Sequence, residues 1–220
     1  MTSKAKRLYT YLEPFHGIIT FLILLFLFYF GWKWAISGDM TGDYIYLFDK
    51  NITPDWFFTL NDWLTAAAAW FIRLFPGTDS LLVGKNLLTF PDGMAISIIW
   101  GCTGIKHLTI FTGVMALYRW FSVRQFSYSR REKLFRIQLY FPPYNWNKWW
   151  YIPLGWVILS AYNIVRIGAI SLLTRGNPDN FEFYHDHFFN YIYYGIMFLL
   201  WLVWEEVFVQ KRMKAVRKKQ

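Results

Sequence analysis

Cysteine is almost missing from this 220-residue chain; Cys102 stands alone. A single thiol excludes an internal disulfide and a multi-cysteine metal site. Acidic residues are also scarce, 14 Asp and Glu against 23 Lys and Arg, for a formal net charge of +9. Such a balance can mark a nucleic-acid partner, but here the basic residues cluster beside apolar runs, which reads as an orientation signal for a membrane. Internal repeats and low-complexity linkers are lacking, so a single domain over 1–220 is the simplest organisation. The first apolar segment lacks a small-residue cleavage site and is too long for a signal peptide, so a retained anchor is expected.

What the chain has in excess is apolar and aromatic surface, 55% and 23% of its residues. Several apolar runs exceed the roughly 18 residues that mark a bilayer-crossing helix. The expected fold is therefore an all-α polytopic membrane protein with about four spans, 15–36, 102–121, 151–174 and 187–209. Segment 56–75 carries Asp62 and Arg73, which are easier to place at an interface than in hydrocarbon. It is expected to lie at the interface or to dip in and return. Between 76 and 101 the Pro91-Asp92-Gly93 turn, with apolar residues on both sides, predicts a short hairpin just before the cysteine.

Charge sets the expected topology. Lys4, Lys6 and Arg7 precede the first span; Arg119, Arg124, Arg130, Arg131, Lys133, Arg136 and Lys148 follow the second; a basic tail occupies 210–220. The positive-inside rule puts these three segments, and both termini, in the cytoplasm of a cell membrane. The hairpin then faces outward.

Three breaks in the apolar pattern carry chemistry. Cys102 is flanked by Gly101 and Gly104, which leave room for a foreign backbone to approach. Asn163 and Arg166, three apart, share one face of a span. The last span opens with Tyr184-His185-Asp186-His187. Counting about 1.5 Å per helical residue from the cytoplasmic ends places Cys102, Arg166 and His187 about 25–33 Å up, near one outer level. A free thiol, with pKa about 8.5, is mostly protonated at neutral pH, and a neighbouring imidazole can take its proton. A guanidinium can hold the oxyanion formed when sulfur attacks a carbonyl. Asn163 could orient Arg166, and Lys106, one turn after the cysteine, can lean back toward the sulfur. His107 lies too far round the helix to be favoured as base.

Cys102-Thr103-Gly104-Ile105, then Asn163-Ile164-Val165-Arg166-Ile167, then a histidine heading the last span, resembles the exosortase/archaeosortase family over roughly residues 80–205. The resemblance implies a membrane cysteine protease/transpeptidase acting on exported proteins that carry a C-terminal motif, a transmembrane helix and a basic cluster. Cys102 would be the nucleophile, Arg166 and a histidine would complete the site, and a lipid or glycan acceptor is possible. His187, nearest the span, is the favoured histidine and His185 the second choice. No cofactor or metal is expected, and no nucleic acid. The alternative is a non-enzymatic membrane carrier or assembly subunit that binds an anionic lipid or ligand through Arg166.

Overall fold

The computed structural model describes residues 15–38, 44–78, 81–118, 122–123, 139–140 and 143–210. The basic lead, the tail beyond Gln210 and most of the basic segment at 119–150 lie outside the described residues. Five α-helices are described: α1 (His16–Ala35), α2 (Trp56–Ile72), α3 (Ile105–Leu117), α4 (Lys148–Thr174) and α5 (Phe189–Trp204).

Among the described residues, three helical stretches are long and apolar enough to cross a membrane: His16–Ala35, Asn145–Thr174 and Pro178–Gln210. In α1 the apolar residues run all round the helix, and Ile23 and Leu27 are each 61% exposed. Water would penalise that surface, whereas hydrocarbon accepts it. The span expected at 102–121 is a shorter object. Its helix α3 has 13 residues, about 20 Å of rise. It starts late because Gly104, at φ +76°, breaks the chain before it. At its far end Lys148 Nζ donates to the carbonyls of Ala116 (3.1 Å) and Tyr118 (2.8 Å), ending the helix with a cation on its carbonyl pole.

The all-α expectation needs correcting, because among the described residues three small antiparallel sheets accompany the helices. The first is β1 (Ile36–Gly38), β2 (Ile45–Leu47) and β3 (Lys50–Asn51). The second is β4 (Leu82–Val83), β5 (Leu87–Thr89) and β6 (Ala95–Ser97). The third pairs β7 (Ser122–Val123) with β8 (Leu139–Tyr140). β5 and β6 join through Pro91-Asp92-Gly93, where Gly93 takes φ +87° and Asp92 Oδ1 accepts the Met94 N–H at 3.1 Å.

Helix α2 buries Phe57, Asn61, Leu64, Thr65, Ala68, Ala69 and Ile72 and turns Trp56, Trp63 and Trp70, seven apart, outward. That two-sidedness follows the helical period. Its buried face meets α4 closely: a Cβ on Gly168 would stand 2.4 Å from the Phe71 ring. Two cores result. One joins α1, α3, α4 and α5 through residues such as Phe21, Phe111, Met115, Leu159, Tyr193 and Trp201. The other joins α2, the β4–β6 sheet and α4 through Ala68, Ile72, Leu88, Phe90, Ile98 and Ile167, with Cys102 packed against it. The cysteine therefore sits where the sheet gives way to the bundle.

Candidate active site

Cys102 closes a single 3-10 turn, Trp100–Cys102, whose bonds run from the Cys102 N–H to the Ile99 carbonyl (2.8 Å) and from the Thr103 N–H to the Trp100 carbonyl (3.1 Å). The sequence requires the turn to be followed by glycine. Gly104 has φ +76°, and a Cβ there would stand 2.8 Å from the Tyr193 hydroxyl and 3.2 Å from Asn163 Cγ. Those two groups are fixed. Tyr193 donates to the Leu159 carbonyl at 3.0 Å, and Asn163 Nδ2 donates to the Cys102 carbonyl at 2.7 Å. Asn163 thus holds the backbone of the cysteine, a different task from orienting Arg166.

Across from the turn, the helical stretch Pro178–Gln210 widens into a π-helix at Phe183–Phe188. Such local widening is common at functional sites. Here it brings His185 to the sulfur, with Nε2 3.9 Å from Cys102 Sγ. The other ring nitrogen, Nδ1, lies 2.7 Å from Asp186 Oδ1. An ionised carboxylate only accepts, so Nδ1 carries the proton of the neutral ring and Nε2 faces the thiol with its lone pair. Phe181 stacks flat on the imidazole, centroids 5.2 Å apart and planes at 12°. Cysteine, histidine and carboxylate therefore stand in the order in which a base is aimed at a nucleophile and steadied from behind.

Arg166 is 2% exposed, and its NH2 donates to the His185 carbonyl at 3.2 Å. Its Nε has no hydrogen-bond partner among the described residues. Cys102, Arg166 and His185 line one cleft together with Ile96, Ser97, Ile98, Ile167, Ile170, Ser171 and Phe181. The cleft holds about 20 Å³, room for about one water.

Other residues singled out in the sequence lie apart from this cluster. His187, the favoured base, has an exposed ring beside Phe183 (6.5 Å) and does not approach the sulfur. The wide turn spends its inward position on His185 instead. Lys106 reaches toward α1, with Nζ 4.8 Å from the centre of the Tyr29 ring. His107 is buried and stacked on Tyr193 at 3.9 Å. Gly101 has open space where a Cβ would project, and Gly104 is the packed one of the pair. Asp186, which meets His185 Nδ1, is the neighbour of the cluster that sequence reasoning passed over; its signal was adjacency to His185. Among the described residues no three His, Cys, Asp or Glu side chains gather as metal ligands.

Comparison of the chain with protein-family models, with curated proteins and with solved structures finds no match. The site is thus defined by its own geometry: a cysteine and histidine in contact, in a protein whose helices are long and apolar enough for a membrane.

Proposed function

We propose that this protein is a membrane-embedded cysteine protease/transpeptidase of the exosortase type. The observation that carries the reading is the Cys102–His185–Asp186 relay, with Nε2 3.9 Å from the sulfur and Nδ1 2.7 Å from the carboxylate, beside the buried Arg166. The resemblance in sequence motifs supplies the reaction class.

In the first half-reaction His185 Nε2 takes the thiol proton, and the sulfur forms a C–S bond to a peptide carbonyl. The oxygen gains negative charge, which the guanidinium of Arg166 stabilises. Collapse breaks the C–N bond, and the imidazolium returns its proton to the leaving amine. In the second half-reaction an acceptor amine or water attacks the thioester, giving a new amide or a free acid and restoring the thiol. Asp186 holds the ring in the tautomer that can accept, which makes it a positioning residue. The substrates are exported proteins with a C-terminal motif, a transmembrane helix and a basic cluster. Their cleavage occurs at the outer face of the cell membrane, with both termini of the enzyme in the cytoplasm.

The test is a covalent adduct. Protein purified from its native membranes should carry, on the peptide containing Cys102, a mass that neutral hydroxylamine removes as a thioester. Cys102→Ala should lose both that mass and processing of the substrate while keeping its place in the membrane. Normal processing by Cys102→Ala would end the proposal.

A further inference from the structure

The geometry points to a substrate bound as an added strand: an extended peptide pairs with the free edge of β6 and so presents a carbonyl to Cys102. This rests on the reading of Cys102 as nucleophile and adds the conformation in which the substrate is recognised.

In the order β4-β5-β6, β6 has a strand on one side only among the described residues. Its phase is fixed at both ends. The Phe90 N–H donates to the Met94 carbonyl (2.8 Å), and the Ile98 N–H donates to the Asn86 carbonyl (2.7 Å). In an antiparallel ladder bonded pairs recur at every second residue. Residues 94, 96 and 98 therefore face β5, while the N–H and C=O of Ala95 and Ser97 point to the open edge. β5 keeps the complementary phase, since the Leu87 carbonyl accepts the Gly84 N–H at 2.8 Å on its other side.

That edge belongs to the site. Ile96, Ser97 and Ile98 line the cleft with Cys102, Arg166 and His185, and one short turn separates the strand from the sulfur. The cleft, at about 20 Å³, is too small to admit a helical or folded segment. An extended chain laid along β6 needs to insert only its reacting carbonyl. Ala95 and Ser97 are small and exposed, and the strand carries none of the Lys or Pro that usually blunt an edge. The hairpin is also anchored. Arg175 Nε donates to Asp92 Oδ2 at 2.7 Å, its NH1 donates to the Gly77 carbonyl at 3.2 Å, and its guanidinium lies 5.3 Å from the Phe90 ring. Strand addition gives affinity through main-chain bonds and leaves selectivity to alternate side chains.

The full-length protein in detergent micelles can be tested with two chloromethyl ketones, chloroacetone and acetyl-tetraalanyl chloromethyl ketone. In each, sulfur displaces chloride to form an S–CH2 bond, and the thiol proton passes through His185 to buffer. The peptide probe should alkylate Cys102 at least tenfold faster. N-methylation of single alanines should lower its rate with a two-residue alternation, by about three- to tenfold at the affected positions, the worth of one backbone hydrogen bond. Ser97→Pro removes an outward N–H and no bond to β5, so it should lower the ratio of the peptide-probe rate to the chloroacetone rate by a similar factor. Equal rates for the two probes, or N-methyl effects without alternation, would overturn the proposal, and the second needs no variant to fold. The chloroacetone rate and its loss in His185→Ala read the nucleophile by itself. A chloroacetone rate indifferent to His185, with alternation retained, would sink the catalytic reading and leave the edge pairing standing.

Discussion

Replacing Gly104 by alanine tests how tightly the cysteine turn is fitted to the bundle. The residue holds φ +76°, so a side chain there costs roughly 1–2 kcal/mol in backbone strain. The new Cβ would also stand 2.8 Å from the Tyr193 hydroxyl. To clear it the hydroxyl must leave the Leu159 carbonyl, 3.0 Å away, in a buried place where a lost hydrogen bond costs about 1–3 kcal/mol. Gly104→Ala should therefore lose about 2–5 kcal/mol. The decisive comparison is with Tyr193→Phe, which deletes the clashing atom. The double variant should be about 1–3 kcal/mol less damaged than the sum of the singles, because the displaced hydrogen bond is counted once. Unfolding in mixed detergent micelles, followed by tryptophan fluorescence, measures all three. Additivity to within about 0.5 kcal/mol would refute the packing argument.

Three further outcomes follow from the site. His185→Ala should lower the rate at which Cys102 reacts with iodoacetamide at pH 7, by about tenfold or more given the small thiolate fraction of an unassisted thiol, whereas His187→Ala should leave it unchanged; mass spectrometry of the Cys102 peptide reads both. Arg166→Lys should cost about 10²-fold or more in substrate cleavage, because an ammonium cannot span from the His185 carbonyl to a developing oxyanion as a planar fork does; near-normal turnover would instead favour a simple charge site. Arg175 beside Asp92, with the Met94 N–H adding to it, holds that carboxyl below the usual carboxylate range. The pair's contribution is thus present above the ordinary carboxylate pKa and is lost as pH falls through the lowered value. Protection of the β5 and β6 amides, measured relative to their intrinsic exchange rates, should fall only on that acid side, and Asp92→Asn should abolish that fall.

The parts of this protein that could be read from residues are those fixed by local chemistry. Cys102, the Asn163–Arg166 pair and the histidine-bearing start of the last span stood out because polar groups are costly in apolar runs. The Pro91-Asp92-Gly93 turn announced a hairpin because its residue types dictate backbone angles. The third strand, β4, was not legible: it is two residues long and pairs with β5 across a tight return in which Asn86 takes φ +44°. Nor was β1–β3, whose β2–β3 turn puts both Phe48 and Asp49 at positive φ, a conformation that a bulky Phe rarely takes. The choice of His185 over His187 could not have been made from a helical period, since the period itself changes at Phe183–Phe188. Asn163 was placed correctly on the face of Arg166 but serves the carbonyl of Cys102, a partner 61 positions away in the chain.

A π-turn closes with one residue more than an α-turn, and the surplus lies between the imidazole and the helix that seats Tyr193 and Trp201 in the bundle. Rewinding the same six residues as a regular α-helix would swing everything upstream through about 100°. The imidazole would leave the sulfur while each side chain kept its chemistry. Reactivity in this protein therefore depends on a miscount in the coil as well as on the identity of the groups it carries.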